Sequence, residues 1–162
     1  MTALVALLLT VTVLVPHGDD EITLLPLIQA ADAPMIVVMT DGAATSRCPA
    51  TTSCEDRRRA STVSFLNETA PSDHVLIWLG WPDGTLPAWY VRMVAINLGG
   101  DLWAAGADYG HPDHTAVRTA VRSLHGELYD GQLRDDPQAK EAMMRHYGWL
   151  LSEDQYGIVG LR

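Results

Sequence analysis

The feature that most constrains the fold of this chain is an alternation of short apolar runs with helix-type segments. The apolar runs are rich in β-branched residues, and turn residues separate them from the segments that follow. A parallel strand needs a crossover connection to reach its neighbour, so strands that alternate with helices favour an α/β layered fold with a mainly parallel sheet flanked by helices. The length of 162 residues predicts a single domain over residues 1–162.

The predicted elements cover most of the chain. The predicted strands are 10–15, 34–42 (ending in a turn), 74–79, 90–98 and 101–105, and the predicted helices are 21–31, 55–68, 115–125 and 137–151. The residues before the first strand resemble the apolar core of a signal peptide, but no Lys or Arg precedes Arg47 and no small-residue cleavage site follows. We interpret this start as apolar residues that lead into a buried strand, with a cleaved leader as the alternative. It is too short to span a bilayer, so no membrane partner is expected.

Polar residues follow the ends of the predicted strands. Residues 17–21 follow the first strand, Asp41 the second, Asp83 the third and His111 a later one. In a parallel sheet, ligands bind in the crevice beyond the carboxyl ends of the strands. We therefore expect these residues to face one crevice.

Two of these segments, 17–21 and 109–114, contain both histidine and aspartate. Adjacent side chains on a turn diverge, so of Asp19 and Asp20 one can bind a metal while the other faces a water. His111 and His114 are three residues apart at a predicted helix start, which places both imidazoles on one face. Two histidines and one carboxylate leave a position open for water or substrate, as in catalytic zinc sites.

Each segment alone also has a structural interpretation. A His-Asp pair at a strand end can be a capped turn, and a histidine near a helix start can be a polar cap. The presence of both segments in this order favours a metal site. No Gly-x-Gly-x-x-Gly follows the first strand, which disfavours a dinucleotide-binding domain.

The segments His17-Gly18-Asp19-Asp20-Glu21 and His111-Pro112-Asp113-His114 closely resemble the signature of the PIG-L/LmbE-like N-acetylglucosaminyl deacetylases. The resemblance extends to Thr40-Asp41-Gly42 and Pro82-Asp83-Gly84 and covers most of the chain. It implies a Rossmann-like α/β fold and a zinc-dependent N-deacetylase. Iron(II) is a possible alternative metal, because these ligands would also accept it.

The resemblance also implies roles for single residues. It makes His17, Asp20 and His114 the zinc ligands and Asp19 the general base. His111 would be the acid or oxyanion stabiliser. The remaining implied roles are orientation of His111 by Asp113, polarisation of the substrate carbonyl by Tyr109, and substrate contacts by Asp83, Asp41 and Arg58, with Arg57 and Arg59 as alternatives to Arg58. Glu21 would hold the turn and the helix start.

The chain departs from the family pattern at Gly18, where the family usually has proline. Glycine leaves the ligand atoms untouched, and we expect it to make the turn less rigid. The chain is also short for the family, so the parts that shape the acyl-sugar pocket must be trimmed.

The resemblance implies that a water activated by the metal attacks the amide carbonyl of an N-acyl amino sugar or sugar conjugate and releases the acyl group, acetyl in this family. One alternative is a metal-dependent amidase acting on a non-sugar amide in secondary metabolism, which the short chain would suit. Another is a non-catalytic binding domain on the same fold, which would predict a damaged ligand set, whereas every expected ligand is present. We therefore predict an enzyme whose partner is a small molecule.

Charge and cysteines limit the other partners. Eleven basic against twenty acidic residues give a net charge of −9, and no stretch resembles a phosphate-binding track, so nucleic acid is not expected. Cys48 and Cys54 are the two cysteines, and we expect two reduced thiols in a flexible loop, with a loop disulfide as the alternative. A cytoplasmic location fits that expectation. No feature of the sequence indicates an oligomeric state.

Overall fold

The computed structural model describes residues 11–45, 47–48, 53–107, 110–130 and 136–151. Within these ranges, strands and helices alternate, and the predicted α/β layered fold is confirmed. The elements are β1 (Val11–Val15), α1 (Glu21–Ala30), β2 (Met35–Thr40), α2 (Cys54–Thr69), β3 (Val75–Trp81), α3 (Ala88–Leu98), β4 (Asp101–Ala105), α4 (Pro112–Ser123), β5 (Glu127–Tyr129) and α5 (Pro137–Tyr147).

The strands form one parallel sheet in the order β3-β2-β1-β4-β5. The chain runs outward from β1 through β2 to β3 and then returns to place β4 on the other side of β1. The order reverses between β1 and β4, and a crevice opens at such a switch point beyond the carboxyl ends of the strands. The segments that follow β1 and β4 therefore meet at the middle of that edge.

Both faces of the sheet are covered. Side chains alternate along each strand, so Val13 and Val15 pack with α1, α2 and α5, whereas Leu14 packs on the opposite face with α3 and α4. These strand residues have no exposed surface. Burial on both faces explains why the central strands are continuous apolar runs in the sequence.

The prediction of a strand at 90–98 is wrong, because these residues belong to α3. Their β-branched side chains favour a strand, but the buried positions Val91 and Ala95 are four apart, the spacing of a helix. The helix follows Pro87 and ends at Gly99, whose φ of 67° stops it. Tertiary packing here outweighs local propensity.

Smaller differences lie at element ends. The strand β5 (Glu127–Tyr129) was not predicted, since three residues are too short to show a periodicity. Helix α5 ends at Tyr147, four residues before the predicted end, where Gly148 follows. The apolar residues 1–9, and with them the alternative of a leader, lie outside the described residues.

The prediction of two reduced thiols is also wrong, because Cys48 and Cys54 form a disulfide. Ser53 caps α2, and Cys54 is the first residue of the helix. The Cα atoms of the two cysteines lie 5.4 Å apart, which is within the range of a disulfide. Disulfides are rare in the cytosol. The predicted cytoplasmic location therefore loses the support that reduced thiols would give it and stays a prediction.

None of the helices in the described ranges has both the length and the apolar character that crossing a bilayer requires.

Candidate metal centre

The turn between β1 and α1 carries the first predicted ligands. His17 and Asp20 lie on it, and helix α4 begins directly after His111 and carries His114 in its first turn. One ligand atom from each of His17, Asp20 and His114 lies within 4.8 Å of the others. We call these three residues the ligand group. The fold thus brings together residues that are 97 positions apart in the chain.

His17 is the centre of this cluster and is 6% exposed. Its Nδ1 lies 3.1 Å from Oδ2 of Asp20, and its Nε2 lies 3.0 Å from Oδ1 of Asp83 and 3.4 Å from Oδ2 of Asp113. Nε2 of His114 lies 3.4 Å from the same Oδ2 of Asp20. Three carboxylates therefore surround one buried imidazole.

These contacts shift the pKa values of the cluster. Burial alone would lower the pKa of His17, but hydrogen bonds to Asp113, Asp20 and Asp83 outweigh it and raise the pKa to about 12. Burial would raise the pKa of Asp20, yet His114 and His17 lower it to about 2. Asp20, Asp83 and Asp113 thus make the surroundings of His17 electronegative, which is the electrostatic environment that suits a cation.

A second group overlaps the first at His17. It contains His17, Asp83, His111 and Asp113, again with one ligand atom of each within 4.8 Å of the others. We call it the second group. Asp113 is fully buried, and its carboxylate accepts the backbone N–H groups of Gly84 at 2.7 Å and Leu86 at 2.9 Å. Because these donors already engage both its oxygens, Asp113 is less available to a metal than Asp20.

His111 contacts Asp113 through the backbone. Its Nδ1 accepts the backbone N–H of Asp113 at 3.3 Å, which caps α4. Burial and the nearby charge of His17 lower the pKa of His111. Because Nδ1 accepts this N–H, the contact favours a neutral ring with its hydrogen on Nε2.

Asp83 and Asp41 are linked through the turn after β3. Oδ1 of Asp41 accepts the backbone N–H of Asp83 at 3.0 Å, and Oδ2 of Asp83 accepts the backbone N–H of Ala44 at 3.0 Å. Burial would raise the pKa of Asp83, but His17 lowers it to about 2. Asp41 thus positions Asp83, and the carboxylate of Asp83 reaches the cluster itself.

Asp19 lies beside a buried arginine and outside both groups. Nη1 of Arg58 is 3.6 Å from Oδ1 of Asp19, and Arg58 is 7% exposed. Burial raises the pKa of Asp19, and the charge of Arg58 opposes that rise. Of the three consecutive arginines, Arg57 instead stacks on the ring of Trp149 and Arg59 is exposed.

Gly18 is closely covered by two side chains. A Cβ atom at this position would lie 2.6 Å from Cη2 of Trp78 and would also meet Oγ1 of Thr62. Gly18 is therefore packed rather than loose, contrary to the expectation of a less rigid turn. The close approach of Trp78 and Thr62 to the backbone explains the glycine at this position, because the side chain of a proline would need the space that they occupy.

The end of the turn is held by a buried polar contact. The Tyr147 hydroxyl donates to Oε1 of Glu21 and lies 2.8 Å from Oγ1 of Thr62. Burial raises the pKa of Glu21 to about 8. The sequence did not predict that the site includes Thr62, Trp78 and Tyr147. The one sequence signal of such neighbours is the glycine at position 18. Tyr109, a predicted catalytic residue, lies outside the described residues.

Comparisons with known proteins support the fold. The chain is similar to the N,N'-diacetylchitobiose deacetylase from Pyrococcus horikoshii in complex with its inhibitor MPG, with a TM-score of 0.68, 18% identity, and coverage of 92% of this chain and 73% of the other. It is also similar to a conserved protein from Thermus thermophilus, with a TM-score of 0.54, 25% identity, and coverage of 72% and 56%. The likeness establishes the fold.

The sequence comparisons add no family. No protein-family model matches the chain, and no curated protein matches it. The resemblance of the two motifs to the PIG-L/LmbE-like deacetylases is thus supported at the level of the fold.

Proposed function

We propose that the protein is a metal-dependent N-deacetylase that acts on an N-acyl amino sugar or sugar conjugate. The acyl group that it removes is proposed to be acetyl. The observation that carries this proposal is the ligand group, with Asp19 beside it but not part of it. The deacetylase neighbour on the same fold supports the reaction type and the sugar substrate.

The ligand group would hold the ion. His17, Asp20 and His114 offer two imidazoles and one carboxylate, the donor set of catalytic zinc sites, with iron(II) as the alternative. When bound, such an ion polarises an amide carbonyl and makes a water acidic enough to lose a proton near neutral pH. Three ligands from the chain leave room for these groups.

Asp19 would take the proton from the attacking water. It neighbours Asp20 in the chain, but its carboxylate faces Arg58. Burial raises the pKa of Asp19 against the opposing charge of Arg58, so its carboxylate is a stronger base than that of an exposed aspartate. Arg58 therefore positions and tunes the base in addition to any contact with substrate.

Of the two roles that the resemblance implies for His111, the neutral ring suits oxyanion stabilisation. Its Nδ1 accepts the backbone N–H of Asp113, so the hydrogen lies on Nε2, which is 3.7 Å from Oδ1 of Asp83 and would donate to the developing oxyanion. The His111 side chain is 38% exposed, whereas that of His17 is 8% exposed, so His111 faces the open side of the site. Asp83 and Asp41 stay as candidate substrate contacts, and Tyr109 stays the candidate for polarising the substrate carbonyl.

A hydrolysis screen tests the proposal. Protein loaded with Zn²⁺ or, anaerobically, Fe²⁺ is incubated with N-acetylglucosamine derivatives and with non-sugar N-acyl amides, and free amine is measured. We expect amine release from the sugars, loss of it after treatment with a chelator, and recovery when the metal is returned. Release from non-sugar amides alone would favour an amidase of secondary metabolism, and no release from any substrate by metal-loaded protein would contradict the proposal.

A further inference from the structure

Three aromatic side chains form a cluster at the end of β3 and the start of α3. The ring of Trp81 lies 4.4 Å from that of Tyr90 and 6.3 Å from that of Trp89, and the rings of Trp89 and Tyr90 are 5.9 Å apart. We call these three residues the aromatic platform. Trp89 is 64% exposed, more than any other large hydrophobic side chain in the described ranges. An indole that packs against two rings and still faces solvent is available to a ligand.

The platform lies at the edge of the sheet where the metal centre lies. Trp81 ends β3 at the carboxyl edge, and Trp89 is in the first turn of α3, which starts near that edge. Asp83 follows Trp81 by two residues, so their Cα atoms are within about 7 Å of each other. Because the carboxylate of Asp83 contacts His17, the turn after β3 connects the metal centre to Trp81.

The turn after β3 fixes the platform relative to the site. Nε1 of Trp81 donates to the carbonyl oxygen and to Oγ1 of Thr85, both at 3.2 Å. The same turn donates the backbone N–H groups of Gly84 and Leu86 to Asp113. Movement of Trp81 and movement of the site are therefore coupled, which is a requirement for a subsite that aligns a substrate.

We propose that Trp89, backed by Trp81 and Tyr90, binds the sugar ring that is joined to the N-acyl sugar under attack. The inference rests on the proposed function and adds that the substrate has at least two rings. A pyranose presents an apolar C–H face to an indole and keeps its hydroxyl groups in water, so burial of that face on Trp89 gains hydrophobic free energy.

Steady-state kinetics with matched substrates test the subsite. The variant Trp89→Ala is compared with the parent protein on N-acetylglucosamine and on N,N'-diacetylchitobiose, both metal-loaded. We expect kcat/KM for the disaccharide to fall on the order of ten-fold through KM, with the monosaccharide unchanged and Trp89→Tyr recovering part of the loss. Equal kcat/KM of Trp89→Ala and parent on the disaccharide would overturn the subsite while leaving the deacetylase proposal intact.

The control variant is Met93→Ala, one helical turn farther along α3. Met93 and Ile96 are also exposed, at 47% and 59%, and lie with Trp89 on one helix face. We expect Met93→Ala to leave both substrates unaffected. If it lowered disaccharide turnover as much as Trp89→Ala, or if either variant changed the sedimentation coefficient of the protein, this face would be a protein contact and the subsite would be overturned.

Binding is also measured without hydrolysis. The heat of binding of N,N'-diacetylchitobiose is titrated with the Asp19→Asn variant, alone and with Trp89→Ala added. A dissociation constant that rises on the order of ten-fold with Trp89→Ala supports the subsite even where no amine is released. An unchanged dissociation constant overturns the subsite, and absence of both binding and hydrolysis for every sugar overturns the proposed function with it.

Discussion

Replacement of Asp19 by asparagine is expected to leave the metal content of the protein unchanged and to lower amine release by about 10²- to 10⁴-fold, the range for a lost general base. Asparagine keeps the shape of the side chain but cannot accept a proton. Asp19 belongs to neither group of possible metal ligands, so the ligand group stays intact in the variant. Metal content by elemental analysis and kcat with N-acetylglucosamine derivatives are the two measurements.

Two controls separate this result from a loss of structure. Arg58 would lose its charged partner at 3.6 Å, so the variant is expected to have a lower melting temperature, and kcat is measured well below it. Asp20→Asn is the matched variant at the next residue and should lose metal as well as activity. Loss of metal from Asp19→Asn with retention in Asp20→Asn would mean that the two aspartates have the opposite roles.

Replacement of Gly18 by alanine is expected to destabilise the protein by about 1–3 kcal/mol, the usual effect of overpacking. The added Cβ would lie 2.6 Å from Trp78, and neither Trp78 nor Thr62 belongs to a flexible surface segment. For a domain of this size, each kcal/mol lowers the melting temperature by about 2–4 °C. Since Gly18 lies between His17 and Asp19, kcat should fall together with stability.

A double variant tests the cause. Trp78→Leu removes the ring atoms that the new Cβ would meet, so Gly18→Ala should be less costly in the Trp78→Leu background than in the parent, a coupling that a double-mutant cycle in thermal unfolding measures. Oγ1 of Thr62 stays in both backgrounds, so equal effects would contradict the contact with Trp78, and a Gly18→Ala variant with the melting temperature of the parent would contradict both contacts.

The sequence predicted the parts of the fold that have a local signal. A β-branched run indicates the strand β1, and polar residues at its end indicate the turn at 17–21. A proline at a helix start indicates the helix that follows His111. Their convergence also follows, because a parallel sheet places the ends of β1 and β4 side by side. The helix α3 was mistaken for a strand, since Val91, Val94 and Ile96 favour a strand locally and only their burial distinguishes the two.

The rest of the site depends on contacts between distant parts of the chain. Tyr147 reaches Glu21 across 126 residues, and Asp83 reaches His17 across 66. No periodicity or spacing reports such pairs, because they are set by the packing of α5 on α2 and by the turn after β3. The close packing over Gly18 also depends on distant residues. The sequence shows a glycine where the family usually has proline, but it does not show that Trp78 and Thr62 occupy the space beside it.

We propose that the ligand group holds a divalent ion and that the second group does not. The most direct measurement is the metal content per chain of His114→Ala and His111→Ala, purified without chelator and analysed beside the parent. These histidines lie at the same helix start, and each belongs to one group only. We predict about one ion per chain in the parent and in His111→Ala and none in His114→Ala. Retention of the ion in His114→Ala with loss in His111→Ala would contradict the claim.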